Sequence, residues 1–226
     1  MERVINAFRN LFSLPTGNVI IECNDCMTTI ESNPQSTFTQ LDIGSQGETF
    51  YVVKNDFYKD LYNGKSRVLG NVNCDDIALI KHNNQPFVLL VELKSNVDAD
   101  KISEAFQQEV RSCLKLTSSL GICDGYNISD FEIRGVIACH PFKSKEALTH
   151  CLHNLLLEKD AGKKDARFKY RIVSERRITT RFEECKWFLP VEALPVDIRT
   201  HKFTVSLIFG KKYEDSSLSI PLSAIV

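Results

Sequence analysis

The stretch DDIALIKHNNQPFVLLVELKS, residues 75–95, constrains the fold most strongly. Two apolar runs flank the polar turn HNNQ, a pattern typical of a β-hairpin. The second run ends in Glu92 and Lys94, which share one face of the predicted strand because side chains alternate between faces. Val88 and Leu90 lie on that same face, so it is apolar first and charged only at its end. Buried charges are costly unless they are paired or bind a metal, so this strand end is a candidate functional site.

A second carboxylate is expected at the same place. Asp76 begins the first predicted strand, and in a hairpin the start of one strand lies beside the end of the other. We therefore expect Asp76 next to Glu92 and Lys94. Two neighbouring carboxylates form an oxygen site suited to Mg²⁺, and a metal there could activate water for attack on a phosphodiester. Asp75 directly precedes Asp76, and the register leaves either of them open as the ligand.

Asp76, the fifteen residues that follow it and the triplet Glu92-Leu93-Lys94 resemble the motif of the PD-(D/E)xK nuclease superfamily. The resemblance implies a restriction-endonuclease-like α/β fold, with a mixed sheet flanked by helices, and Mg²⁺ or Mn²⁺ as cofactor. It implies that Asp76, Glu92 and the backbone carbonyl of Leu93 bind the metal. Lys94 would then assist the nucleophilic water. Asp75 stands where many members have Pro.

The same resemblance suggests two further site residues. Many members carry a Glu on the helix before the motif, and Glu48 is the candidate metal ligand here. Ser45 and Glu48 also have the spacing of a helix capping box, which would explain Glu48 without a metal. Some members carry a Gln on the helix after the motif, which suggests a catalytic role for Gln108. A solvated helix face is the alternative explanation for Gln108.

Periodicity elsewhere predicts a mixed α/β protein. Helices are expected at residues 4–12, 45–65, 98–116 and 145–159, with Pro15 and Gly17 ending the first and Gly64 capping the second. Further strands are expected at residues 18–23, 27–32, 37–43, 131–139, 168–174 and 202–210. We expect one domain, residues 1–226, built from a β-rich N-terminal addition (1–44), a nuclease-like core (45–142) and a basic C-terminal part (143–226).

Charge is unevenly distributed along the chain. Residues 1–142 carry 12 Lys and Arg against 18 Asp and Glu, whereas residues 143–226 carry 16 against 11. A basic surface of this kind is typical of proteins that contact nucleic-acid phosphates, although a solvated surface has the same composition. The candidate phosphate-contacting residues are Lys163, Lys164, Arg167, Lys169, Arg171, Arg176 and Arg177.

The eight cysteines are expected to be reduced, because the chain is long and shows no export signal. Cys23 and Cys26 form a C-x-x-C pair, and zinc binding by this pair is the alternative to a structural role. The chain begins with an amphipathic segment that lacks the apolar region of a signal peptide. No stretch reaches the ~18–20 apolar residues of a membrane span. A cytoplasmic location is therefore expected.

These features together predict a magnesium-dependent nuclease that hydrolyses phosphodiester bonds in DNA, with RNA not excluded. By resemblance, such a protein would act in bacterial anti-phage defence or restriction. The net charge of −1 suggests that a protein partner in a defence complex supplies targeting, and a homodimer is a further expectation from the superfamily. The alternative is a non-catalytic subunit of the same fold that binds DNA or a partner protein.

Overall fold

The structure is a computed structural model that describes residues 1–12, 14, 17–62, 69, 72–96 and 98–226, without the side chains of residues 59 and 60. The described helices are α1 (Glu2–Leu11), α2 (Asn55–Tyr62), α3 (Ala99–Leu120), α4 (Lys145–Asp160), α5 (Ala166–Glu175) and α6 (Val196–Thr200). The described strands are β1 (Ile20–Ile30), β2 (Gln40–Val53), β3 (Asp76–His82), β4 (Gln85–Lys94), β5 (Glu132–Cys139), β6 (Arg177–Arg181), β7 (Lys202–Phe209) and β8 (Ser217–Pro221).

The eight described strands form one open mixed sheet. Its order is β1-β2-β3-β4-β5-β7-β6, and β8 pairs with the first half of β2. The pairs β4–β5, β5–β7 and β2–β8 are parallel, and the other pairs are antiparallel. The predicted α/β class and mixed sheet are therefore confirmed.

Apolar side chains cover both faces of the central strands. On the first face, Val88 and Leu90 of β4 pack with the apolar stripe of α3, which includes Ile102 and Phe106. On the second face, the alternate side chains of β4 join a smaller cluster that the C-terminal residues help to cover, with Leu218 among its members. The strand β4 is buried on both sides, as expected for the centre of a mixed sheet.

The hairpin and the long helix that follows it are confirmed. The strands β3 and β4 pair antiparallel around a turn in which Asn83 and Asn84 both have positive φ, at 48° and 66°. This is the conformation of a two-residue type I′ turn, which Asn tolerates better than most residues. The helices predicted at residues 4–12, 98–116 and 145–159, and the strands predicted at 131–139 and 202–210, are also present with small boundary shifts.

The helix predicted over residues 45–65 is wrong for its first half. Residues up to Val53 belong to β2, and only Asn55–Tyr62 are helical. The β-rich run TFYVV pairs with β1 on one side and β3 on the other, and this pairing outweighs the helical spacing of its apolar residues. The Ser45 hydroxyl donates to the Glu48 carbonyl oxygen at 2.9 Å within the strand, so no helix capping box forms. Pro15 and Gly64, the predicted ends of two helices, lie outside the described residues.

The strand predicted at residues 168–174 is also wrong, because this stretch belongs to α5. Its buried residues Ala166, Lys169, Ile172 and Val173 follow helical spacing. The strands predicted at 18–23 and 27–32 are parts of one strand, β1, which continues through a bulge near Asp25. The short strands β6 and β8 were not expected from the sequence.

No helix in the part of the chain that the structure describes is long and apolar enough to cross a membrane.

Candidate metal and catalytic site

The register of β3 and β4 decides which carboxylates meet. Asp76 lies opposite Val91, so its side chain shares the second face of the sheet with Val91 and Ala78. Glu92 points to the first face, towards α3, together with Leu90. The hairpin pairs as expected, but the side chains of Asp76 and Glu92 lie on opposite faces of the sheet. Burial raises the pKa of Asp76 to about 6.

Asp75, the alternative ligand, lies beside Glu92. The Asp75 N–H donates to Glu92 Oε2 at 3.1 Å, and the Asp75 carboxylate accepts a 2.7 Å hydrogen bond from the Leu93 N–H. The Leu93 carbonyl points to the same side of β4 as its N–H, because a strand residue directs both groups to one neighbour. Three oxygen donors, from Asp75, Glu92 and the Leu93 backbone, are thereby directed to one edge of the hairpin.

Lys94 and Gln108 complete this edge. The Lys94 ammonium contacts Glu92 Oε1 and donates to Gln108 Oε1 at 2.9 Å. Gln108 in turn donates to the Asn73 carbonyl oxygen at 3.2 Å. Gln108 is therefore not on a fully solvated face of α3, and it links the lysine to the segment that carries Asp75.

The helix α3 holds the segment 72–75 through three polar side chains on one side. Gln108, Ser112 and Lys115 follow helical i, i+4, i+7 spacing. The Ser112 hydroxyl accepts from the Cys74 N–H at 2.9 Å, and Lys115 Nζ donates to two oxygens of the segment at 2.5 and 2.9 Å. Lys115 is fully buried, and burial lowers its pKa to about 8. This support for Asp75 was not predicted, because no local pattern marks a contact between residues about 40 positions apart.

The two carboxyl groups of the site are held in surroundings that oppose their ionisation. Burial raises the pKa of Asp75 to about 7. Burial, with the negative charge of Asp75, raises the pKa of Glu92 to about 8 although Lys94 lowers it. The side chain of Glu92 is almost completely buried, with 1% of the residue exposed. A divalent cation would favour both ionised forms, so the donor set and its electrostatics fit Mg²⁺ or Mn²⁺.

Two further acidic residues influence the site and were not singled out from the sequence. The charge of Glu31, which follows β1, raises the pKa of both Asp75 and Glu92. Glu109 on α3 is fully buried against Gly135, and burial followed by the charge of Glu92 raises its pKa. Both residues reach the site only through the tertiary fold, so their sequence neighbours give no signal.

Glu48 lies away from this edge. It is a residue of β2, and its carboxylate contacts His82 at the far end of β3. The two ends of β3 are six positions apart, which is a distance of roughly 20 Å in a strand. The structure therefore does not bring Glu48 to Asp75 and Glu92.

The basic C-terminal candidates occupy different environments. Lys169 is 2% exposed, and its ammonium pairs with Asp100 at 2.7 Å, Asp165 at 3.1 Å and Glu158 at 3.3 Å. The expectation that Lys169 lies on a phosphate-contacting surface is therefore wrong, because its helical position faces the core. Lys163 also pairs with Glu158, at 2.6 Å.

The other five candidates reach the surface to different extents. Arg171 pairs with Glu175 at 3.2 Å, and Arg176 lies 4.1 Å from the centre of the Phe209 ring. Arg177 donates to the backbone oxygen of residue 225 at 2.9 Å. Lys164 and Arg167 are exposed at the start of α5, and within the described residues neither makes an ion pair.

Cys23 and Cys26 both lie in β1, the first half-buried and the second exposed. Across the described ranges, no three His, Cys, Asp or Glu side chains are grouped so as to hold a metal. The candidate metal site therefore depends on two carboxylates, a backbone carbonyl and water.

Comparison of the chain with protein-family models, with curated proteins and with solved structures found no match.

Proposed function

We propose that this protein is a metal-dependent nuclease that hydrolyses phosphodiester bonds in DNA. The observation that carries the proposal is the convergence of Asp75 and Glu92 at the hairpin edge. The Asp75 N–H donates to the Glu92 carboxylate, the Asp75 carboxylate accepts from the N–H of the residue after Glu92, and Lys94 lies on the same edge. Oxygen donors beside a lysine are the groups that hydrolysis of a phosphodiester requires.

The fold supports the same proposal. The two motif strands lie in the middle of an open mixed sheet, α2 precedes them and α3 follows them. This arrangement agrees with the restriction-endonuclease-like architecture that the motif implies. The ligand assignment moves by one residue, from Asp76 to Asp75, because only Asp75 shares the edge with Glu92.

The chain's own residues have distinct roles in the proposed reaction. Asp75, Glu92 and the Leu93 carbonyl would hold Mg²⁺, which when bound supplies Lewis-acid stabilisation and a more acidic water. Lys94 is oriented by Gln108, so its ammonium can hydrogen-bond the attacking water and stabilise charge on the phosphate. The reaction forms a bond from phosphorus to the water oxygen and breaks the bond to the leaving sugar oxygen. The proton lost by water balances the proton gained by that oxygen.

The biological part of the proposal rests on the resemblance. We place the activity in bacterial anti-phage defence or restriction, with a protein partner that delivers the nuclease to DNA. The net charge of −1 supports this, because strong binding to free DNA is driven by many cation–phosphate contacts.

The test is cleavage of supercoiled plasmid in EDTA, Mg²⁺ or Mn²⁺ by the wild type and by the Glu92→Ala and Lys94→Ala variants. We expect cutting that requires the metal and is lost in both variants. Equal cutting by all three proteins would show a contaminating nuclease and contradict the proposal. A Glu48→Ala variant is the matched carboxylate control, and it should cut like the wild type because Glu48 is roughly 20 Å away along β3.

The second candidate function is a non-catalytic subunit of the same fold that binds DNA or a partner. One observation favours it: the Lys94 ammonium is engaged by Glu92 and Gln108, and Glu92 itself is almost completely buried. Calorimetric titration with Mn²⁺ separates the two functions. Binding by the wild type that is lost in Glu92→Ala supports the nuclease, and no binding by either protein supports the subunit.

A further inference from the structure

A cleft of about 380 Å³ lies between α5 and the turn that follows β6, on the side of α3 away from Asp75 and Glu92. Its volume is within the range of small-ligand sites. Four cationic side chains line it: Lys164, Arg167, Arg171 and Lys186. Only Arg171 has an ion-pair partner, Glu175, in the part of the chain that the structure describes.

One wall of the cleft is aromatic. Phe106, Phe168 and Trp187 line it, and their ring planes lie within 34° of one another. The Phe106 and Phe168 ring centres are 4.1 Å apart with planes at 24°, and the Phe168 and Trp187 centres are 6.2 Å apart with planes at 34°. Phe106 is buried, whereas Phe168 and Trp187 are half-exposed. Phe168 and Trp187 are therefore the members of this group that the ring of a ligand can reach.

Two carboxylates also line the cleft, and both have partners within the protein. Glu184 accepts a 2.9 Å hydrogen bond from the Thr180 hydroxyl, and Glu183 pairs with Arg181 at 3.5 Å. The four cationic side chains outnumber the two carboxylates, so the cleft favours a negatively charged ligand. Its ligand should combine negative charge with an aromatic ring that offers donors to Glu184 or Glu183.

We propose that this cleft binds one nucleotide unit, with the base stacked on Trp187 and Phe168 and the phosphate held by Lys164, Arg167 and Lys186. Stacking on aromatic side chains beside cations is the general means by which proteins hold unpaired nucleotides. A base inside a duplex is already stacked on its neighbours, so the cleft should take a nucleotide from a single strand.

That the nucleotide belongs to the substrate strand rests on the proposed nuclease function. The cleft lies over β7 and β6, and the carboxylate edge lies at β3 and β4. Strands are spaced about 4.8 Å apart, so the two places are offset by roughly 10–15 Å across the strands, with a further offset of a few residues along them. A few nucleotides of one strand can bridge such a distance, which would let the cleft hold the strand while its phosphodiester reaches the carboxylates.

Trp187 is the only tryptophan in the chain, so its fluorescence reports on this cleft directly. We would titrate the protein in EDTA, at low salt, with a single-stranded oligothymidylate of about six nucleotides and, separately, with thymidine monophosphate. The test variant is Lys164→Ala/Arg167→Ala. The matched control is Lys145→Ala/Lys211→Ala, which removes two exposed cations that do not line the cleft.

We expect the oligonucleotide to quench Trp187 fluorescence, with affinity at least about tenfold weaker in the test variant and unchanged in the control. Quenching by the oligonucleotide alone would identify a strand as the source of the nucleotide, and equal affinity for the monophosphate would identify a free nucleotide. No quenching, or equal affinity in the test and control variants, would overturn the proposal.

The measurement in EDTA does not depend on catalysis. A protein that binds in this way and never cuts DNA would contradict the nuclease and leave the cleft assignment intact. A protein that cuts DNA without any response of Trp187 would contradict the cleft assignment alone.

Discussion

Replacement of Glu92 by Gln should make the stability of the metal-free protein less dependent on pH. The folded protein holds the Glu92 carboxyl with a pKa of about 8, raised from 4.5 chiefly by burial. Between these two pH values the folded state binds a proton that the unfolded state has released. The contribution of Glu92 to the free energy of unfolding therefore falls as pH rises from about 4.5 to about 8 and is constant above that range.

The size of this fall follows from the two pKa values. Each tenfold change in a protonation constant corresponds to about 1.4 kcal/mol, so a pKa of about 8 in place of 4.5 gives roughly 4–5 kcal/mol as an upper limit. Asp75, whose pKa is about 7, adds a fall of the same sign over a similar range. Gln at position 92 cannot ionise, so the variant should retain only the contributions of the other buried carboxyl groups, Asp75, Asp76 and Glu109.

The assay is urea unfolding at pH 5, 7 and 9, in EDTA and a reducing agent that keeps the eight cysteines free. The free energy of unfolding of the wild type should fall by several kcal/mol between pH 5 and pH 9, and that of Glu92→Gln should fall by clearly less. Addition of Mn²⁺ at pH 8 should stabilise the wild type and leave the variant almost unchanged, because the metal binds the ionised carboxylates of the folded state. Equal pH dependence in the two proteins would refute the reasoning.

Other predictions concern packing around the site, and urea unfolding tests each. In Gly135→Ala the new Cβ would lie 2.3 Å from a Glu109 carboxylate oxygen and 2.9 Å from the Phe203 ring. The free energy of unfolding of this variant should therefore be about 1–3 kcal/mol lower than that of the wild type. The double variant Gly135→Ala/Glu109→Ala should recover part of that loss, because the carboxylate that the new Cβ meets is gone. If the losses of the two single variants simply add in the double variant, the contact is contradicted. The free energy of unfolding of Lys169→Met at pH 7 should be lower by up to about 3 kcal/mol, because three carboxylates lose their shared cation. That loss should shrink below about pH 4 as the carboxylates take up protons, and a loss independent of pH would contradict the ion pairs. The free energy of unfolding of Phe106→Ala should be about 3–5 kcal/mol lower, since Phe106 is buried among four aromatic rings.

The sequence was sufficient for the hairpin and the helix that frame the candidate site. Both have strong local signals: an Asn-Asn turn between two apolar runs, and a long apolar stripe in α3. The charged end of β4 also stands out against its apolar face. These features are encoded within about 45 consecutive residues, where periodicity and turn chemistry act together.

The choice between Asp75 and Asp76 could not be made from the sequence. A shift of one residue in strand register moves a side chain to the other face of the sheet. The register is fixed by tertiary contacts, namely the hydrogen bonds between α3 and residues 72–75 and those between Asp75 and β4. No pattern within the hairpin itself distinguishes the two aspartates.

Lys169 and β2 are two further cases in which the local sequence did not predict the structure. Lys169 resembles its basic neighbours in sequence, but its place on the buried side of α5 gives it three carboxylate partners. The run TFYVV of β2 fits both a helix and a strand, and the strands on either side decide between them. Local composition could not predict either outcome, because partners distant in sequence determine both.

The most direct test of the account compares Asp75→Asn with Asp76→Asn in plasmid cleavage with Mg²⁺ or Mn²⁺. The two substitutions are chemically identical and one residue apart, so each controls for the other. The account predicts metal-dependent cutting by the wild type, a loss of roughly 100-fold or more in Asp75→Asn, and near wild-type cutting by Asp76→Asn. Activity that survives in Asp75→Asn, or that is lost only in Asp76→Asn, would contradict it.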